Sequence, residues 1–200
     1  MDISLPAELQ RDIFELAIPG RADEKFLSLI EAKPPGFFAT AVISLLIDPL
    51  LSDEQTAGIL TACRGVESLA LWGTTSWGHI PDFPYLPLMF SADRLKRIVD
   101  TLKHLHRLTH LALHFTLHPS IASAVSTNCP GLQVLVIIFD WSSSIPAWAD
   151  KRYSFDDRIV VVQRVPSSSS EDWEAAHFGL SNVWTRAESA VAERRRAAGG

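Results

Sequence analysis

Cysteine is scarce in this chain: only Cys63 and Cys129 occur, too few for a disulfide framework. A basic surplus is also missing. The formal net charge is −5, which argues against a general nucleic-acid binder. No apolar run is long enough to cross a bilayer, since the longest, Leu132 to Phe139, is short and already interrupted by Gln133. Asp2 and Glu8 break up the N-terminus and no basic stretch precedes an apolar one, so no secretory leader is expected and a cytoplasmic or nuclear location is. Motifs that carry chemistry are lacking as well: there is no Gly-x-Ser-x-Gly elbow, no Gly-x-x-x-x-Gly-Lys phosphate loop and no dinucleotide fingerprint. The expectation is a protein that is not an enzyme and holds neither a metal nor a cofactor. The competing expectation is a catalytic site assembled from distant loops.

What is present is ordinary globular material, 47% apolar and 20% charged, sufficient for one domain with a core and a small appendage. Its strongest internal signal is a repeat. Cys129-Pro-Gly-Leu-Gln-Val-Leu-Val-Ile-Ile-Phe-Asp-Trp141 echoes Cys63-Arg-Gly-Val-Glu-Ser-Leu-Ala-Leu-Trp72, and the same apolar skeleton recurs at Leu108, Leu111, Leu113 and at Val42, Leu45, Ile47. Val42 to Val66 and Leu108 to Leu132 are each 24 residues apart, inside the roughly 20–29 residue period of leucine-rich repeats. Val66 to Leu108 is 42 residues because the irregular insertion Gly73–Phe90 intervenes. From Leu132 to Ile159 is 27 residues, which admits one more, degraded rung.

The spacing predicts strands over Phe37–Ile47, Val66–Trp72, the Leu108 skeleton, the Leu132 skeleton and Arg158–Gln163. Helices are expected at Ser52–Cys63, where Ser52 and Gln55 suit a capping box, and at Ala92–His104, Ser120–Cys129, Ser170–His177 and Asn182–Arg196. Matched positions before two strands give Cys63 and Cys129 a packed, structural role. Alternating strands and helices imply an α/β fold: a parallel, leucine-rich-repeat-like sheet of about five strands with helical crossovers. In a regular horseshoe the second face would carry Ser44, Leu46, Asp48; Ser68, Ala70, Trp72; His110, Ala112, His114; and Val134, Val136, Ile138. The last set is wholly apolar. Either the tryptophan-bearing helices after Ser170 cover that part of the sheet, or it is an apolar partner surface.

At the N-terminus, Leu5-Pro6-x-Glu8-Leu9-x-x-x-Ile13-Phe14-x-Leu16-Ala17 has an amphipathic helical pattern with Ser4 as cap and Pro6 in the first turn. It also resembles the opening of an F-box, especially of fungal F-box-like proteins. The likeness extends through Cys-x-Gly-Val-x-x-Leu-Ala-Leu-Trp, Leu-Thr-His-Leu and Asp-x-Arg-Ile-Val-Val to Trp173 and Trp184. The resemblance implies a substrate-recognition subunit of a cullin–RING ubiquitin ligase. Leu5, Pro6, Leu9, Ile13 and Phe14 would then bind the Skp-type adaptor. It divides the chain into an F-box-like segment, residues 1–33, with room for one short helix around Glu24–Ile30, and a repeat domain with a helical cap, residues 34–200. The alternative reading keeps the repeat domain and makes the N-terminal helix its cap.

Candidate partner contacts are Trp72, Trp77, Tyr85, His110 and His114, aromatic and imidazole groups at strand ends and in the insertion. His106, His110, His114 and His118 recur every four residues, but on a strand His110 and His114 lie about 13 Å apart, too far for one metal. Partly exposed sheet histidines are expected instead. Asp156-Asp157 and Glu171-Asp172 fit turns and helix starts, and Arg194–Arg196 complements the end of the last helix, with a nuclear-import or anion contact as its competitor.

Overall fold

The computed structural model describes residues 22–34, 36–47, 51–71, 92–114, 118–139, 145, 147–163 and 169–199. The elements run α1 (Ala22–Ala32), α2 (Phe37–Ala41), β1 (Ser44–Ile47), α3 (Asp53–Ala62), β2 (Ser68–Leu71), α4 (Ala92–Leu102) and β3 (His110–Leu113). They continue as α5 (Pro119–Asn128), β4 (Val134–Phe139), α6 (Ala147–Tyr153), β5 (Ile159–Gln163), α7 (Ser169–His177) and α8 (Val183–Gly199). The strands form one all-parallel sheet in the order β1-β2-β3-β4-β5. This is the leucine-rich-repeat-like α/β arrangement that the spacing predicts. Strands that step in one direction, with crossovers of one hand, put every linking helix on the same side.

The two faces separate by residue parity. Leu69, Leu71, Leu111, Leu113, Leu135, Ile137, Ile159 and Val161 pack against Ile59 and Leu60 of α3, Ile98, Val99 and Leu102 of α4, Val125 of α5 and Tyr153 of α6. Ala70, Ala112, Val134, Val136, Ile138 and Val160 form a second layer with Trp173, Val183, Trp184, Ala187 and Val191. The C-terminal helices therefore cover the apolar part of the second face, and β4 is buried at every position.

Each rung enters its strand through the same turn. The N–H groups of Val66, Leu108 and Leu132 donate to the carbonyls of Cys63, Leu105 and Cys129 at 3.1, 3.0 and 3.0 Å, and the strands begin two residues later than the apolar skeleton suggests. Cys63 and Cys129 are free, buried residues that close α3 and α5. Burial pushes the Cys63 thiol up to about 12 and raises that of Cys129 against the opposing charge of Arg158, so both are packing groups and poor nucleophiles. Gly65 lies in the first of these turns: a Cβ there would stand 1.8 Å from the Ala39 carbonyl oxygen. Only glycine fits where the turn meets α2.

Three expectations are corrected and one helix is added. Phe37–Ala41 is helix and not the start of a strand. Phe38 packs edge-on against Phe26 of α1 at 5.4 Å and Thr40 Oγ1 donates to the Phe37 carbonyl at 3.0 Å, so tertiary packing overrides aromatic strand preference. The fifth rung is not 27 residues on: Leu135 is registered with Ile159, an interval of 24. The same offset sets Asp156 where earlier rungs carry Leu132, Leu108 and Val66, which is why the pattern looks degraded. The short helix α6 lies outside the elements that the spacing predicts; it carries Lys151 and Arg152 in its last turn and buries Ala149 and Tyr153 in the core. Helix α8 runs on to Gly199, so Arg194 and Arg195 do not lie in its last turn. They reach across to β5 instead: Arg194 donates to the Ile159 carbonyl and Arg195 Nε to Asp157 at 2.7 Å. The predicted capping box is present, with Gln55 N–H donating to Ser52 Oγ at 3.1 Å and Ser52 N–H to Gln55 Oε1 at 2.8 Å.

Asp156 is put to use rather than merely tolerated. Arg158 donates to it through Nε (3.0 and 3.2 Å) and Nη2 (2.7 Å), and also reaches the carbonyls of Leu132 (3.1 Å) and Ser126 (3.2 Å). The Ser126 carbonyl belongs to the last turn of α5, where acceptors lack helical partners and a cation is favourable. The hydrogen bonds from Arg158 hold the Asp156 carboxyl at about 2, below its ordinary 3.8, against the opposing cost of burial.

Candidate binding face

On the second face, the first position of successive strands reads Ser44, Ser68, His110, Val134 in register. The first three are half-buried and polar, while Val134 is sealed. The next row reads Leu46, Ala70, Ala112, Val136, Val160. The small Ala70 and Ala112 lie in the same packed layer as the indoles of Trp173 and Trp184, which meet edge-on at 6.0 Å. Polarity and cover change together along the sheet.

Two contacts fix how α8 lies. Glu188 Oε1 is 3.0 Å from Nε2 of His110, the first residue of β3, and Arg194 binds the carbonyl of Ile159, the first residue of β5. Six helical residues rise about 9 Å, and two strand spacings measure about 10 Å. The helix therefore crosses the starts of β3, β4 and β5 transversely.

His110 marks the edge of that cover. Its Nδ1 is 2.8 Å from Thr109 Oγ1, its Nε2 faces Glu188, and its ring meets Trp184 edge-on at 5.5 Å. Thr109 Oγ1 also lies 3.1 Å from the Glu67 carbonyl, which already accepts the N–H groups of Thr109 and His110 at 2.9 and 3.0 Å. Beside it, Arg107 pairs with the Glu67 carboxylate. Thr109, His110 and Glu188 thus bring a hydroxyl, an imidazole and an acid together. The ring joins the Thr109 hydroxyl on Nδ1 to the Glu188 carboxylate on Nε2. The arrangement is a clasp between β3 and α8.

The corner before α8 is firmly built. Asn182 Oδ1 accepts from the N–H groups of Trp184 (2.8 Å) and Thr185 (3.1 Å), and Asn182 N–H donates to Thr185 Oγ1 at 3.0 Å, a reciprocal cap. Asp172 accepts from the Val183 N–H at 3.1 Å and from Arg186 Nη1 at 3.2 Å, so the carboxylate expected at a helix start also ties α7 to α8.

Of the predicted partner residues, the structure places His110 at the edge of the cover, half-buried, and His114 in the interior at 4% exposure. Trp72, Trp77 and Tyr85 lie outside the described residues, as do Leu5, Pro6, Leu9, Ile13 and Phe14. Among the described residues no cluster of three or more histidine, cysteine, aspartate or glutamate side chains could hold a metal ion, and no helix is long and apolar enough to cross a membrane. Sequence reasoning missed Glu188, which looks like any solvated helix acid until the fold brings it to a strand 78 residues away.

Strand order, register and the helix-covered second face define a leucine-rich-repeat-like α/β protein. No family model matches the chain, and no curated protein matches it. Among solved structures, the tropomodulin C-terminal domain of Caenorhabditis elegans is similar at 13% identity, covering 88% of this chain and 96% of that one, with a TM-score of 0.38.

Proposed function

We propose that this chain is a non-catalytic protein-binding module that serves as a substrate-recognition subunit of a cullin–RING ubiquitin ligase. The observation that carries the binding reading is the row Ser44, Ser68, His110: polar, half-buried and laid across neighbouring strands from the edge of the α8 cover, where Glu188 clasps His110, outward. A repeat sheet offers such a row as an extended surface for a polypeptide. The ligase assignment rests on the F-box-like residues Leu5, Pro6, Leu9, Ile13 and Phe14, which would contact the Skp-type adaptor. Pull-down of a purified Skp-type adaptor tests it. The expected result is capture by the wild type and loss on joint substitution of Leu5-Pro6 and Ile13-Phe14 by alanine; no capture, or capture indifferent to those changes, refutes the adaptor role.

A second reading has its own support. Helix α1 places Phe26, 7% exposed, against Phe38 of the first rung. This segment would then cap the repeat, as terminal rungs require, with no adaptor involved. Loss of thermal stability without any adaptor capture is the outcome expected of Phe26→Ala under that reading.

A further inference from the structure

The donors and acceptors around His110 can be assigned proton by proton. Thr109 Oγ1 holds one proton between two neighbours, the Glu67 carbonyl at 3.1 Å and His110 Nδ1 at 2.8 Å. Glu188 Oε1 stands 3.0 Å from Nε2. Carbonyls and carboxylates only accept, and a neutral ring has a single N–H, so either placement of that proton costs a contact. With the proton on Nε2, the hydroxyl must donate to Nδ1 and gives up the Glu67 carbonyl. With the proton on Nδ1, a bare Nε2 lone pair faces the carboxylate. Only the imidazolium satisfies all three contacts, and it makes the bond to Glu188 charge-assisted. The ring side chain is 15% exposed, so water competes little for its nitrogens, whereas that of Glu188 is 52% exposed. Charge reaches the ring from Glu188 on α8 and, at the entry to β2, from the Glu67 carboxylate, which Arg107 pairs. Trp184, Ala187 and Val191 of α8 and the register partners Ser68 and Val134 are uncharged.

We propose that the Thr109–His110–Glu188 clasp is a proton-operated catch that sets how tightly α8 closes over the second face. With α8 closed, the imidazolium has Glu188 and Thr109 as partners; with α8 lifted, the ring loses Glu188 whichever state it is in. The closed form therefore holds the second ring proton more tightly than the open form. By linkage, the cover tightens as the ring gains that proton and slackens as pH rises and the proton is lost. Imidazoles make this change between about pH 5 and 8, where ordinary carboxylates stay ionised. The catch lies where the row Ser44, Ser68, His110 meets the sealed Val134. Slackening it lengthens the open row by one strand and brings an apolar side chain to the surface.

Amide hydrogen exchange on the full chain tests this, at about pH 5.5 and about pH 8. It is read as protection factors, which divide out the intrinsic pH dependence of exchange. Helix α4, packed on the other face, is the internal reference. In the wild type the protection of α8 relative to α4 should be about two- to fivefold higher at the lower pH, the size expected of a half-exposed ion pair. His110→Gln and Glu188→Gln, made separately, should each abolish that difference and leave α4 unchanged. Nitrogen-15 NMR of the His110 ring adds a readout that packing alone would not move. At the lower pH both ring N–H protons should be protected from solvent, and Thr109→Val should release the one on Nδ1 alone. Equal or lower α8 protection at the lower pH in the wild type, a pH difference that survives His110→Gln, or a single protected ring proton overturns the proposal. Adaptor capture is read with substitutions at Leu5-Pro6 and Ile13-Phe14, so either idea can fail while the other stands.

Discussion

At the starts of β1 and β2 the second face shows Ser44 and Ser68, half-buried, with Leu46 half-buried beside them and only the small Ala70 sealed. At β4 and β5 the same face shows Val134, Val136, Ile138 and Val160, all sealed beneath α7 and α8. The other face is apolar and helix-packed throughout. One rung, repeated at one spacing, thus produces an interior at one end and a surface at the other. The difference lies in which parity positions carry small, polar or branched side chains, and in a terminal helix that crosses three strand starts and stops at His110.

The largest effect should separate the two ends. Trp184→Ala opens a cavity in the covered layer and should cost about 3–5 kcal/mol, whereas Leu46→Ala, half-exposed at the other end, should cost about 1 kcal/mol. Chemical denaturation of the two variants measures the gap; equal losses would mean that both ends are equally packed. A second contrast concerns two turns that match in sequence. Gly65→Ala drives a Cβ into the Ala39 backbone and should cost about 3 kcal/mol. At the equivalent Gly131 the nearest atom, the Leu108 carbonyl oxygen, lies at 3.5 Å, so Gly131→Ala should stabilise by up to about 1 kcal/mol. Denaturation midpoints that move alike would erase the distinction.

Acid sharpens the account of the fifth rung. Asp156 has a lowered value in the folded chain, about 2 against an ordinary 3.8, so the stabilisation is complete above pH 4 and is lost as pH falls through 2. Its size is about 2 kcal/mol. The urea midpoint should drop across that window in the wild type, and Asp156→Asn should flatten this part of the profile; an unchanged profile would show that the Arg158 pair does not carry it.

Much of this comparison was legible in the sequence. Val42, Val66, Leu108 and Leu132 gave the rung spacing, and the apolar run at Val134, Val136 and Ile138 showed that an open horseshoe fails there. What was not legible depends on partners far along the chain. Phe37–Ala41 is helical because Phe38 has Phe26 to pack against. Asp156 replaces an apolar rung residue because Arg158 can share it with carbonyls of Leu132 and Ser126. Four regularly spaced histidines suggest a pattern, yet His110 is set by Glu188 and Thr109, and His114 by burial.

The central claim is that along the first strand positions of the second face cover ends at His110, one row before the sealed Ala70 of β2, and side-chain reactivity tests it directly. Cys63 and Cys129 are buried thiols of raised pKa and provide a quiet background. With Ser68→Cys and Val136→Cys made separately, a thiol reagent at neutral pH should label position 68 rapidly and position 136 only as fast as the chain unfolds. Equal, rapid labelling at both positions would contradict a second face that is sealed at one end and open at the other.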